Sequence, residues 1–87
     1  MPYTILISSK AAKFLKKQDE TVFSQLKRKI LSLSDKPKPR LSKTLNGTEG
    51  GVRILHNNYK ILYSIDEETQ SMTIYKINKR RKVYSRL

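Results

Sequence analysis

The segment Lys36-Pro37-Lys38-Pro39-Arg40 divides the chain into two halves of different periodicity. Neither proline has an N–H, and each restricts the residue before it, so no helix runs through this stretch. Before it, apolar residues recur at helical spacing. Ala11, Ala12, Phe14 and Leu15 share one face, with Lys10, Lys13 and Lys17 turned away. Ser8 or Ser9 supplies a cap for this first helix. Asp19 and Glu20 mark a second start, with acids at the positive end of the dipole. Val22, Phe23, Leu26, Ile30 and Leu33 then step by threes and fours, which predicts a helix over 20–34. Two helices joined this tightly make a hairpin with one apolar side, and that side needs a sheet.

Strands surround the helices in sequence. Residues 3–8 are β-rich and short. After the prolines, 41–45 offer a short strand before the Asn46-Gly47 and Gly50-Gly51 turns. The stretches 52–56, 59–65 and 72–77 alternate as strands, with turns at Asn57-Asn58 and 66–71. The expected order is β-α-α-β-β-β with a basic tail. This is an α+β domain over residues 1–87 whose helical hairpin packs on one face of a mostly antiparallel sheet.

Charge limits the partners. Nineteen Lys and Arg against seven Asp and Glu give 87 residues a formal charge of +12. No acid follows Glu68, whereas Lys76, Lys79, Arg80, Arg81, Lys82 and Arg86 fill the basic C-terminal segment 76–87. Such a field attracts polyanions, nucleic acid first and acidic proteins second. There is no cysteine and one histidine, so a disulfide, a Cys nucleophile and a protein-built zinc centre are excluded. The longest apolar run, residues 5–7, is far below the roughly 20 residues of a membrane span. No signal-peptide pattern opens the sequence, so the expectation is a soluble, cytoplasmic protein without membrane contact.

The Asn57-Asn58 turn places the charges. A two-residue type I′ loop needs positive φ twice, which Asn tolerates. The implied pairs are His56/Tyr59, Leu55/Lys60, Ile54/Ile61, Arg53/Leu62 and Val52/Tyr63. Val52, Ile54, Ile61 and Tyr63 then face the helices, and Arg53, Leu55, Lys60 and Leu62 face away. Arg53 and Lys60 become diagonal neighbours, roughly 7–8 Å apart. His56 and Tyr59 fall on the Ile54 side at the strand end, which gives His56 a turn-packing or exposed role. Tyr59 and Tyr63 are expected in the core.

Residues 51–65, GVRILHNNYKILYSI, resemble the signature of RelE/ParE-superfamily toxins. The start MPYTI and the stretch NKRRKVY at 78–84 are similar too, so the resemblance spans nearly the whole chain. It implies a RelE-like microbial RNase fold and a type II toxin–antitoxin toxin. RelE-type members are metal-independent, cofactor-free endoribonucleases (mRNA interferases) that cut mRNA in the ribosomal A site. The 2′-OH attacks the adjacent phosphate and leaves a 2′,3′-cyclic phosphate, which stops translation. The implied partners are an acidic, partly disordered antitoxin, the small ribosomal subunit with its mRNA, and operator DNA for the antitoxin complex. By the same resemblance, Arg53, Lys60, Arg80 and Tyr84 are the catalytic set, with Arg81 a near-equal candidate for Arg80. Lys79, Arg81, Lys82 and Arg86 contact RNA. Two departures stand out: Gly51 occupies a position that is basic in familiar members, and Lys60 replaces an Arg. They imply weaker activity or a differently supplied base.

The chemistry needs a base, charge stabilisation at the phosphoryl oxygens and an acid for the leaving oxygen. Arg stays protonated and suits stabilisation. A lysine among like charges is pushed towards its neutral form, which suits Lys60 as base. Tyr84 offers a face on which a base stacks. Glu49 is an alternative base in a divergent scheme. Other readings are a ParE-like gyrase-inhibiting toxin, a non-catalytic basic nucleic-acid-binding module and a toxin whose catalysis has decayed.

Overall fold

Side-chain caps set where both helices begin. In the computed structural model, which describes residues 2–47 and 49–79, Ser8 precedes α1 (Ser9–Lys16) and its Oγ accepts from the Ala11 N–H at 3.1 Å. Asp19 precedes α2 (Glu20–Ser32), and its Oδ1 accepts from the Val22 N–H at 2.8 Å. Each bond satisfies one of the orphan donors of a helix start. The second helix stops two residues short of the predicted end, because Leu33 serves as its C-cap.

Five strands follow or precede them: β1 (Thr4–Ile7), β2 (Lys43–Thr44), β3 (Gly51–His56), β4 (Tyr59–Asp66) and β5 (Ser71–Lys79). They form one sheet in the order β1-β5-β4-β3-β2. Alternation accounts for four of them, and the two-residue β2 within 41–45 makes the fifth. All pairs are antiparallel except β1 with β5, which run parallel from Thr4↔Ser71 to Ile7↔Ile74. The sheet is therefore mostly antiparallel, as the sequence indicates.

The hairpin pairs as expected, from Val52↔Tyr63 to His56↔Tyr59. Its turn does not follow type I′. Of the two asparagines only Asn57 has positive φ, at 56°. One left-handed residue is enough here, since the strand ladder itself closes the loop. A bulge interrupts β4 and β5: Leu62 faces Lys76 and Tyr63 faces Ile74, so Tyr75 is the extra residue.

One side of this sheet meets the helices. Ala11 and Leu15 of α1 with Leu26 and Ile30 of α2 bury against Val52, Ile54, Ile61, Tyr63, Ile65, Met72, Ile74 and Ile77. Phe14 meets Tyr59 edge to face, with centroids 6.1 Å apart. Tyr63 is fully buried, and its hydroxyl donates to the Pro37 carbonyl at 2.6 Å. That bond ties the proline connector to the core, and burial raises the Tyr63 pKa to about 12.

Candidate polyanion-binding face

Alternation along each strand leaves a second face that, among the described residues, no helix covers. The inward residues Val52 and Ile54 alternate with Arg53 and Leu55, and Ile61 and Tyr63 with Lys60 and Leu62. Arg53 and Lys60 thus share the open side, related diagonally across the β3–β4 pair. Both are half-buried. Cross-strand pairing extends the set to two cations that the sequence patterns do not place here. Lys43 stands directly opposite Arg53 on β2, and Lys76 stands opposite Leu62 on β5. The row reads Lys43, Arg53, Leu62, Lys76, and beside it lie Leu55, Lys60 and Asn78. No periodicity exists in a two-residue strand, and the bulge at Tyr75 offsets Lys76 from simple alternation. Only tertiary pairing brings these two lysines to Arg53.

Arg53 is the centre of this row. Its Nε is buried and makes no hydrogen bond within the described residues. A guanidinium presents its donors in a planar fork that matches a phosphate bidentately. An unpaired buried donor costs about 1–3 kcal/mol, and an anion oxygen docked on that edge removes the penalty. Like charges directly across a ladder also repel. The face is therefore electrostatically prepared for an anion.

Acids are segregated elsewhere. Glu49, Asp66, Glu67 and Glu68 line a cleft of about 650 Å³ with Gly50, Ser64 and Ser71, beyond the Gly51 end of β3. Glu49 therefore sits among other carboxylates rather than beside Lys60. His56 is placed as the register implies, opposite Tyr59 and near Lys29 of α2, away from the Arg53 face. Burial, helped by the Lys29 charge, lowers its pKa. Tyr59 and Tyr63 belong to the helix-side packing. Lys79 is exposed at the end of β5. Arg80, Arg81, Lys82, Tyr84 and Arg86 lie outside the described residues. Among the described residues no group of three or more His, Cys, Asp or Glu is arranged to hold a metal, and no helix is long and apolar enough to cross a membrane.

Fold and face define a small α+β protein with a helical hairpin behind a five-stranded sheet and a cationic open side. No protein-family model matches the sequence, and no curated protein matches it. Solved structures do. A RelBE2 toxin–antitoxin complex from Mycobacterium tuberculosis is 26% identical with a TM-score of 0.80, covering 92% of this chain and 100% of that one. The isolated RelE toxin of E. coli is 24% identical with a TM-score of 0.80, covering 95% and 92%. An archaeal RelE–RelB complex from Pyrococcus horikoshii is 22% identical with a TM-score of 0.82, covering 94% and 99%. The chain has the fold of the RelE toxins, and these likenesses support a RelE-superfamily toxin.

Proposed function

We propose that this protein is the toxin of a type II toxin–antitoxin system and acts as a ribosome-dependent mRNA endoribonuclease. The observation that carries the reading is Arg53 beside Lys60 on the sheet face opposite the helices, with the Arg53 Nε making no hydrogen bond among the described residues. Several of the similar structures are RelB–RelE complexes, which supports a cognate antitoxin as partner. The same reading has the antitoxin complex bind operator DNA and the toxin work in the cytoplasm.

In this scheme the substrate 2′-oxygen bonds to the adjacent phosphorus as the P–O5′ bond breaks. Lys60 serves as the base that takes the 2′-OH proton. Arg53 holds the non-bridging oxygens, where negative charge grows in the transition state. Arg80, or Arg81 in its place, adds charge stabilisation at the leaving 5′-oxygen. That oxygen takes a proton from water and departs as a free hydroxyl, while Lys60 returns the 2′-OH proton to the hydroxide so formed. Tyr84 stacks on a base, and Lys79, Arg81, Lys82 and Arg86 hold the RNA backbone. The protein offers few conventional bases, so alignment of the 2′-oxygen with the scissile bond falls to the ribosome.

The test is to incubate the purified chain with programmed ribosomes and, separately, with the same mRNA alone. The expected result is A-site cleavage leaving 2′,3′-cyclic phosphate and 5′-hydroxyl ends, with naked mRNA cut poorly. Intact mRNA together with inhibited gyrase supercoiling would replace this reading with the ParE-like one.

A further inference from the structure

We infer that Lys43 is a phosphate-binding residue of the same face, acting with Arg53 on the scissile phosphate of an RNA substrate. This inference rests on the endoribonuclease reading above for the identity of its ligand.

The short strand β2 exists only as Lys43–Thr44, pinned by Lys43↔Arg53 and Thr44↔Val52. The Leu45 N–H also donates to the Gly51 carbonyl at 3.0 Å, which fixes the strand's exit. Residues directly opposite in an antiparallel pair share a face, with Cβ atoms about 4.5–5.5 Å apart. Thr44 pairs with the fully buried Val52, so Lys43 and Arg53 take the other, open side. Lys43 is exposed, and among the described residues no acid pairs with it or with Arg53.

Two cations held face to face, one with a buried unpaired donor, form a costly arrangement unless an anion lies between them. Gly51, the neighbour of Arg53 along β3 on the same face, is buried and carries no side chain, so it adds no charge there. The Lys43 ammonium therefore supplies the second charge beside Arg53 from across the ladder. A lysine delivers that charge as a compact, rotatable point at the end of a long stem, complementing the fixed fork of Arg53. Lys60 stands diagonally from Arg53 on β4, so three strands each contribute one cation to this face.

Two measurements on the full chain test this. The first is binding of a labelled single-stranded RNA oligomer, 2′-O-methylated throughout so that it cannot be cut, over a series of salt concentrations. Lys43→Ala should reduce the slope of log affinity against log salt by about 0.7, the loss of one phosphate contact on a single strand. Lys43→Arg should keep the wild-type slope, as should Lys27→Ala, an exposed α2 lysine. The second is single-turnover cleavage of ribosome-bound mRNA, in which Lys43→Ala should be slowed tenfold or more and Lys43→Arg only a few-fold.

Lys43→Ala with wild-type slope and rate overturns the inference while leaving the endoribonuclease reading intact. So does Lys43→Arg as slow as Lys43→Ala, since the charge would then be irrelevant. A reduced slope with unchanged cleavage overturns the placement at the scissile phosphate. Absence of measurable oligomer binding by the wild type overturns the inference as well. If the wild type cuts no ribosome-bound mRNA but the slope falls as expected, the endoribonuclease reading fails and Lys43 stands as a phosphate ligand.

Discussion

Replacing Arg53 with methionine should separate stability from activity in opposite directions. The side chain is half-buried, and its Nε is enclosed without a hydrogen bond among the described residues. Leaving such a donor unpaired costs the folded state about 1–3 kcal/mol. The lysine directly opposite adds repulsion, a smaller term of about 0.2–1 kcal/mol. Methionine keeps an unbranched stem over Leu62 and removes both penalties. Against this stands the lost packing of the guanidinium plane, so a net gain of about 1 kcal/mol is expected. For a domain of this size that corresponds to a rise in Tm of about 4–8 °C. Activity should fall sharply, because a donor aimed at developing transition-state charge is worth about 2.7–4 kcal/mol, or about 100- to 1000-fold in rate. The assays are thermal unfolding followed by circular dichroism and single-turnover cleavage of ribosome-bound mRNA at saturating toxin. A variant that melts lower than the wild type would show that Arg53 is a structural residue whose donor finds compensation. A variant that is more stable and fully active would remove Arg53 from the site.

Other perturbations probe the frame. Tyr63→Phe deletes the bond to Pro37 and should cost about 1 kcal/mol near neutral pH. The folded tyrosine pKa of about 12 lies above the unfolded value of about 10, so wild-type stability falls as pH rises through that window. The penalty of Tyr63→Phe, read from urea midpoints, should therefore be smaller at pH 11 than at pH 8. His56 has a lowered pKa in the fold, so its neutral form is favoured there and stability drops as pH falls below the unfolded value of about 6.5. His56→Ala should flatten that acid limb in a Tm-against-pH series and leave cleavage unchanged. Gly50 has φ of +70°, and a Cβ there would collide with the Ile65 carbonyl oxygen. Gly50→Ala should cost at least about 2 kcal/mol by chemical denaturation, and an unchanged midpoint would mean that this turn relaxes freely.

Local chemistry makes much of this legible in the sequence. Ser8 and Asp19 announce both helices, because a side-chain oxygen before an apolar repeat has one obvious use. The alternation from Val52 to Tyr63 specifies register, since a slip by one residue would turn Arg53 and Lys60 into the core. That alternation alone therefore puts Arg53 and Lys60 on one face. It says nothing of Lys43. A two-residue strand has no period, and its facing partner is set by the sheet rather than by its own neighbours. Lys76 is hidden for a different reason, as the extra residue at Tyr75 shifts what stands opposite Leu62. The turn at Asn57 shows the converse error, in which residue preference suggests two left-handed positions and the ladder requires one.

The parallel pairing of β1 with β5 has a consequence for the making of the molecule. Thr4 waits for Ser71, and Ile7 for Ile74, so the first strand synthesised is docked by the last of the sheet. Chains grow at about 5–20 residues per second and ordinarily begin folding from the N-terminal side. Here α1 can form early, yet Ser8, its cap, also donates to the carbonyl of Tyr75 and cannot settle until β5 has emerged. Loop closure of this span is among the slower events a small domain can require. The cationic face is assembled from β2 to β5, and the sheet is not closed until the end of that sequence. A growing chain on its ribosome thus carries the charges of this face without their arrangement until β5 has emerged.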